Sequence, residues 1–107
     1  MKSYYEKNHK INLKVFEEYI TQLKVMAHPV RYAIIVILAT NKKMTVTEIY
    51  DELSIQQAAA SNHLKILKTH KLLLSKRMGK NMYYSVNHKA IKKLLTTLDL
   101  GADGFED

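Results

Sequence analysis

The sequence predicts a single, mainly α-helical (α+β) domain with five helices and a two-stranded β-hairpin. Apolar residues recur every three or four positions in several segments, which is the period of amphipathic helices. Two short β-type runs flank a glycine, as in a hairpin. The 107 residues, of which 47% are hydrophobic, suffice for one modest core. We therefore predict one domain over residues 1–107.

A proline separates the first two predicted helices. Apolar residues at helical spacing predict the first helix over about residues 12–27. His28 and Pro29 end it, because the residue before a proline avoids the α region. Pro29 suits the first position of a second helix, where a backbone N–H has no partner. The apolar run over residues 33–38 predicts that this second helix is buried on nearly all sides.

The middle of the sequence predicts a helix-turn-helix. After a polar loop at residues 41–43, Thr45 and Glu48 form a T-x-x-E capping box that predicts the start of a third helix, through Leu53. Ser54 and Ile55 allow a tight turn. A longer fourth helix follows to about residue 70, and two helices so joined form a helix-turn-helix.

A hairpin and a last helix follow. The β-type runs at residues 72–77 and 82–87 flank a turn in which Gly79 supplies the permissive backbone. The last helix covers about residues 88–99, and the glycines and acids after it predict a frayed tail. A hairpin directly after a helix-turn-helix makes the predicted fold a winged helix-turn-helix.

Positive charge is concentrated in residues 53–98, which contain nine Lys or Arg and no Asp or Glu. The whole chain has a formal net charge of +7. At about 100° per residue, the fourth helix presents amide, hydroxyl and ammonium groups on one side and Ala60, Leu64 and Leu67 on the other. A cationic surface with such hydrogen-bonding groups fits DNA. The alternative is an ordinary solvated helix face.

The predicted DNA-binding residues have three roles. Gln57, Ser61 and Asn62 can read base edges in the major groove, where the methyl group of Ala58 can meet that of thymine. The lysines and arginine of helix and wing contact phosphates, and the wing tip can reach the minor groove. For His63, a structural hydrogen bond and a phosphate contact both remain open. The full set is Gln56, Gln57, Ala58, Ser61, Asn62, His63, Lys65, Lys68, Lys76, Arg77, Lys80 and Asn81.

Three segments resemble the ArsR/SmtB family of bacterial winged-helix repressors. Residues 23–31, LKVMAHPVR, are similar to the family's "LKaLaHPtRl". Residues 57–67, QAAASNHLKIL, are similar to its "QsavSrHLkvL" recognition helix, and residues 76–84, KRMGKNMYY, to its "rreGrrvyY" wing. The segments occur in the family's order and spacing. The resemblance implies a transcriptional repressor that binds a double-stranded DNA operator.

The resemblance also implies a homodimer in which the first and last helices, about residues 11–27 and 88–99, pair between protomers. A two-fold dimer places two recognition helices in successive major grooves. The predicted interface residues are Ile11, Val15, Phe16, Tyr19, Leu94, Leu95 and Leu98. The alternative is that several of them close the core of a single protomer.

The sequence departs from the family at its metal sites. It has no cysteine, so thiolate metal sites and disulfides are excluded. The family's metal positions around the last helix correspond to His88, Ala90, Gly101 and Gly104, of which three cannot coordinate a metal. We therefore predict no metal site and no cofactor, although a site between protomers stays open. An organic or protein effector, or protein level alone, would then control the repressor.

Two positions beside the fourth helix also differ from the family. The usual serine cap is replaced by Gln56, and the usual glycine after the helix by Lys71. These changes affect the expected ends of the helix by one or two residues and leave the expected fold unchanged.

Other functions fit the sequence less well. No glycine-rich phosphate loop, nucleophile elbow or paired catalytic carboxylates occur, so we do not expect an enzyme. The main rival is a winged-helix interaction module that binds an acidic protein; RNA binding is a lesser one, because it usually requires exposed stacking aromatics. The apolar runs are too short for a membrane span, and no secretory signal is present, so we expect a cytoplasmic protein.

Overall fold

The computed structural model describes the backbone of residues 13–105 and the side chains of residues 13–97. Within this range there are five helices and three strands. The helices are α1 (Leu13–Met26), α2 (Pro29–Asn41), α3 (Val46–Leu53), α4 (Gln57–Thr69) and α5 (His88–Phe105). The strands are β1 (Met44–Thr45), β2 (Leu73–Met78) and β3 (Asn81–Val86). The predicted winged helix-turn-helix is confirmed.

Helix α2 runs through the centre of the protein but is not buried on all sides. Its Ile34, Ile35 and Leu38 belong to the core. Tyr32 and Val36, however, are 56% and 45% exposed. The prediction of nearly complete burial is wrong because a 107-residue chain has too few elements to surround a helix, so one face meets solvent.

Local hydrogen bonds fix the starts of α2 and α3. The imidazole Nδ1 of His28 accepts a hydrogen bond from the backbone N–H of Val30 at 3.2 Å. Thr45 and Glu48 form the predicted capping box: the Glu48 N–H donates to the threonine hydroxyl at 3.3 Å, and the Thr45 N–H donates to the glutamate carboxylate at 2.8 Å. Both caps satisfy backbone donors that a helix start otherwise leaves unpaired.

A tight turn orients α4 against the rest of the helix-turn-helix. Ser54 has a φ of 54°, and the N–H of Ile55 donates to the carbonyl of Tyr50 at 3.1 Å, which ends α3 abruptly. Helix α4 then contacts both α2 and α3. Its Ala60, Leu64 and Leu67 are buried, as the helical period predicted, so the opposite side of α4 faces outward.

The sheet has three antiparallel strands in the order β1-β3-β2, whereas the sequence predicted only the two-stranded hairpin. The additional strand, β1, pairs Met44 with Tyr84 and Thr45 with Tyr83. A two-residue strand is too short to show an alternating pattern, and its partner lies about 40 residues away in the chain. This pairing joins the wing to the loop that precedes α3.

Helix α5 extends further than predicted. It continues to Phe105, past Gly101 and Gly104, whereas the sequence predicted an end near residue 99 and a frayed tail. Each glycine costs an α-helix only about 1 kcal/mol, and no proline occurs in this segment to stop it. Among the described helices none alone is long and apolar enough to cross a membrane; α1 and α2 pass this test only as a pair bent by 91°.

Candidate nucleic-acid interface

The outward face of α4 is a continuous polar surface. Ala60, Leu64 and Leu67 are buried on one side of α4, so the opposite side of the helix faces outward. All six residues on this polar face are exposed: Gln57, Ala58, Ser61, Asn62, Lys65 and Lys68. The face therefore carries amides and a hydroxyl near the start of the helix and cations nearer its end, the groups that can form hydrogen bonds with base edges and contact phosphates.

Gln56 stands directly before α4, at the N-cap position. Its backbone is extended, with φ −71° and ψ 147°, and its side chain makes no capping hydrogen bond. The first turn of α4 contains no acidic residue. The exposed carboxamide of Gln56 is therefore not engaged in capping and adds to the polar face, where the positive end of the helix dipole favours an anion.

The wing is the β2–β3 hairpin, and it carries the second group of predicted residues. In this hairpin Lys76 pairs with Tyr83, and Arg77 pairs with Met82. Gly79 has a φ of +64° and nothing within 4 Å of the position of a Cβ atom, so the turn needs its backbone freedom rather than its small size. The predicted wing residues are all exposed: Lys76, Arg77, Lys80 and Asn81.

Lys43 adds a cation to the wing that the sequence pattern did not indicate. Its ammonium lies 5.4 Å from the centre of the Tyr83 ring and 3.7 Å from the sulfur of Met78. The contacts follow from the β1–β3 pairing, which brings residue 43 beside the hairpin. Lysine over an aromatic face is attracted by a cation–π interaction, so Lys43 lies against the hairpin that carries the predicted wing cations.

His63 faces inward from α4, unlike its polar neighbours. It is partly buried. Its Nδ1 accepts a hydrogen bond from Nε of Arg31 at 3.4 Å, and its ring centre lies 4.7 Å from that of His28. Burial, then the nearby His28 and Arg31, lower the pKa of His63 from its ordinary value of 6.5. Of the two roles left open for His63, the described contacts are those of a structural hydrogen bond.

Comparison with known proteins gives the family. A helix-turn-helix domain model matches residues 26–75, from the end of α1 into β2. The transcriptional repressor PagR of Bacillus anthracis is 34% identical over 92 residues, which cover 86% of this chain and 92% of PagR. The chain belongs to the ArsR-type family of winged helix-turn-helix transcription regulators. The family resemblance inferred from the three sequence segments is thereby confirmed.

Solved structures of transcription regulators share the fold. The crystal structure of PagR superposes with a TM-score of 0.70 at 32% identity, covering 81% of this chain and 99% of that chain. An ArsR-like regulator from Rhodococcus sp. RHA1 has a TM-score of 0.76 at 20% identity, covering 84% and 85%. A homodimeric winged helix-turn-helix domain from Mycobacterium bovis, a possible ArsR-family regulator, has a TM-score of 0.68 at 22% identity, covering 90% and 89%.

The interface residues predicted for an ArsR-type dimer differ in accessibility. Leu95 is 53% and Val15 is 38% exposed; Phe16 and Tyr19 are partly buried. Leu94 is fully buried within the single chain, so its assignment to the interface is wrong. Ile11 and the side chain of Leu98 lie outside the described residues.

Helix α1 carries further exposed apolar residues. Leu13, Ile20 and Leu23 are 69%, 47% and 39% exposed, and their spacing of seven and three residues places them on one face. We call these three residues and Leu95 the apolar stripe.

Within residues 13–97 no group of three His, Asp or Glu side chains is placed to hold a metal ion. His28 and His63 are close to each other, but both Nδ1 atoms accept hydrogen bonds from protein donors. Arg31 also presents a fixed positive charge to His63. A cation at this position would meet repulsion as well as occupied ligand atoms.

Proposed function

We propose that this ArsR-type protein is a homodimeric transcriptional repressor of the cytoplasm, without enzymatic activity, that binds a double-stranded DNA operator through α4 and the wing. The observation that carries the proposal is the exposed polar face of α4 beside the cationic hairpin. PagR, the relative with 34% identity, is a repressor, which supports the same role here.

In this proposal the two parts of the surface contribute differently to binding. The face of α4 enters the major groove, where Gln57 and Asn62 read adenine edges and Ser61 accepts or donates to several bases. The alanine side chains in the same turn keep the helix slim. The wing, with Lys76, Arg77 and Lys80, lies along the phosphate backbone and contributes affinity rather than sequence preference. Lys43 strengthens this contribution.

The apolar stripe supports the dimer. Four large apolar side chains with exposed fractions between 39% and 69% are an unfavourable surface for a small protein in water. A second copy that covers the stripe through a two-fold axis buries it and directs two α4 helices to the same face of DNA. The M. bovis neighbour, which is a homodimer, has the corresponding fold.

The test is selection of DNA fragments by the purified protein, followed by fluorescence anisotropy with the selected operator and a scrambled duplex. We expect specific binding whose log K falls with log salt at a slope of about −7, as for a dimer that neutralises about eight phosphates. Asn62→Ala should lose part of the preference for the operator, by about 1–3 kcal/mol. Lys68→Ala should weaken operator and scrambled DNA to the same extent.

The same measurements distinguish the rival function. An interaction module for an acidic protein would bind a polyglutamate peptide as tightly as DNA, because carboxylates and phosphates present the same sign of charge. It would also select no common DNA sequence. Such an outcome, or a salt slope near zero, would overturn the repressor proposal.

A further inference from the structure

We propose that Arg31 is a positioning residue for operator recognition, which ties the end of α1 to the recognition helix α4 through the neutral imidazole of His63. The inference rests on the proposed function and adds to it, because Arg31 is remote from the predicted DNA-binding residues in sequence. We call the linked groups of Val25, Arg31 and His63 the Arg31 bridge.

Two hydrogen bonds from one guanidinium form the Arg31 bridge. The Nη1 of Arg31 donates to the backbone carbonyl of Val25, near the C-terminal end of α1, at 3.1 Å. Its Nε donates to Nδ1 of His63, in the middle of α4, at 3.4 Å. Arg31 itself is in the first turn of α2. One side chain therefore connects three helices, with a planar, rigid group that fixes the angle between its two acceptors.

The bridge requires His63 to be neutral. Nδ1 can accept from Arg31 only while it carries a lone pair, so the ring proton is on Nε2. A second proton would place an N–H on Nδ1 that faces the guanidinium, and the hydrogen bond would be replaced by repulsion between cations. The described charged or titratable groups that act on His63 are His28 and Arg31, both at the start of α2; none from α1, α3 or β2 is among them.

The connection matters because its two ends have different roles in the proposed dimer. Helix α1 carries most of the apolar stripe and so holds the two-fold axis, while α4 carries the base-reading face. The Arg31–His63 bond is long, at 3.4 Å, so a rotation of α4 that moves His63 away from Arg31 breaks it. With the bridge intact, both recognition helices keep the same orientation relative to the axis, and an operator's two half-sites are read together.

The direction of a pH effect follows from the lowered pKa of His63. Above the ordinary value of 6.5 the imidazole is neutral whether the bridge is intact or broken. Below it, the broken state takes up a proton more readily than the intact state, so acid favours breaking. The bridge is thus complete above pH 6.5 and is progressively lost as the pH falls from 6.5 towards the lowered pKa.

The first test is Arg31→Lys in the full chain, compared with wild type on the selected operator and a scrambled duplex. Lysine keeps the charge but cannot hold both acceptors in one plane. We expect operator affinity to fall by about tenfold or more, while affinity for the scrambled duplex changes by less than about twofold. Equal losses on both duplexes, or none on either, would overturn the inference. Circular dichroism confirms that the variant is folded.

The second test is the pH profile of operator affinity for His63→Asn. Asparagine places Oδ1 close to the position of the histidine Nδ1, so it retains an acceptor for Arg31 that no proton can occupy. Between pH 8 and pH 5.5, wild type should lose affinity relative to His63→Asn by up to about tenfold for each protomer. His88→Asn is the matched control, since it removes an exposed imidazole at the start of α5; it should decline as wild type does.

Two outcomes of the pH experiment contradict the proposal. Parallel profiles for wild type and His63→Asn would show that the bridge does not control binding. A relative gain of wild-type affinity in acid would show that protonated His63 contacts a phosphate instead. If wild type itself fails to distinguish the operator from the scrambled duplex, the proposed function fails as well; otherwise only the inference about Arg31 is overturned.

Discussion

Lys71 has a backbone conformation that glycine adopts most readily. Its φ is 64°, directly after α4. The N–H of Lys71 donates to the carbonyl of Lys68 and that of Leu72 to the carbonyl of Leu67, both at 2.9 Å. These are the two bonds of a Schellman motif. The motif ends α4 where the chain turns into β2, so the conformation of Lys71 helps to set the angle between α4 and the wing.

We predict that Lys71→Gly stabilises the protein. The left-handed conformation costs an L-residue about 1–2 kcal/mol, whereas glycine loses about 0.5–1 kcal/mol more through backbone entropy on folding. The expected net gain is about 0.5–1 kcal/mol in the free energy of unfolding, measured by urea denaturation. Lys92→Gly, in the exposed interior of α5, is the control and should destabilise by about 1 kcal/mol. A loss for both variants would contradict the prediction.

The sequence shows that Lys71 replaces the glycine usual in the family, but it does not show the backbone conformation of Lys71. A lysine gives no signal for positive φ, and the turn is imposed by Leu67 and Leu72, which are both fully buried. Gly79 is different, because a glycine between two β-type runs is a local signal. Arg31 was missed for a related reason: its two acceptors are fixed only when three helices have packed together.

The sequence predicted the hairpin of the wing, but it did not predict the third strand that pairs with the hairpin. The hairpin and its glycine turn follow from residues within 16 positions of each other, and so does the capping box of α3. The pairing of β1 with β3 joins residues about 40 positions apart. A hydrophobic period within a short segment cannot predict such a pairing. As a result Lys43 was not among the predicted residues, although its ammonium lies over Tyr83 of the hairpin.

We predict different effects for two neighbouring substitutions in the wing turn. Gly79→Ala meets no steric contact, but its φ of +64° costs about 1–2 kcal/mol, which weakens the hairpin. Amide hydrogen exchange in β2 and β3 should rise, and DNA affinity should fall with the salt slope unchanged. Lys80→Ala lacks this backbone strain and removes one cation per protomer, so the slope should become less steep by about 2 in a dimer.

Salt titrations of both variants against wild type check this pair of predictions. If Lys80→Ala leaves the slope unchanged, Lys80 does not contact a phosphate. If Gly79→Ala exchanges its hairpin amides at the wild-type rate, the turn tolerates a side chain at positive φ and the geometric role of Gly79 is wrong.

The proposed dimer depends on which leucines of α5 remain exposed in a single protomer, and the sequence does not show this. Leu94 and Leu95 are adjacent leucines in α5, and helical periodicity places both near its apolar side. In the structure Leu94 is fully buried and Leu95 is 53% exposed. A period shows that a helix has an apolar side, but it does not show which part of that side the protomer itself covers. Only the packed chain separates core from the proposed interface.

We predict that Leu95→Glu converts a dimer into a monomer. A carboxylate within the apolar stripe would lose its hydration on association, which costs several kcal/mol without a partner charge. Light scattering should give the mass of one chain, 12.4 kDa, instead of two. Operator affinity should fall steeply, because one protomer reads a single half-site. Leu74→Glu is the matched control: Leu74 is 52% exposed but lies in β2, whose main contacts are with β3 and α4. It should keep the mass of two chains. A dimeric Leu95→Glu protein would place the interface elsewhere, and with it the axis that sets the separation of the two recognition helices.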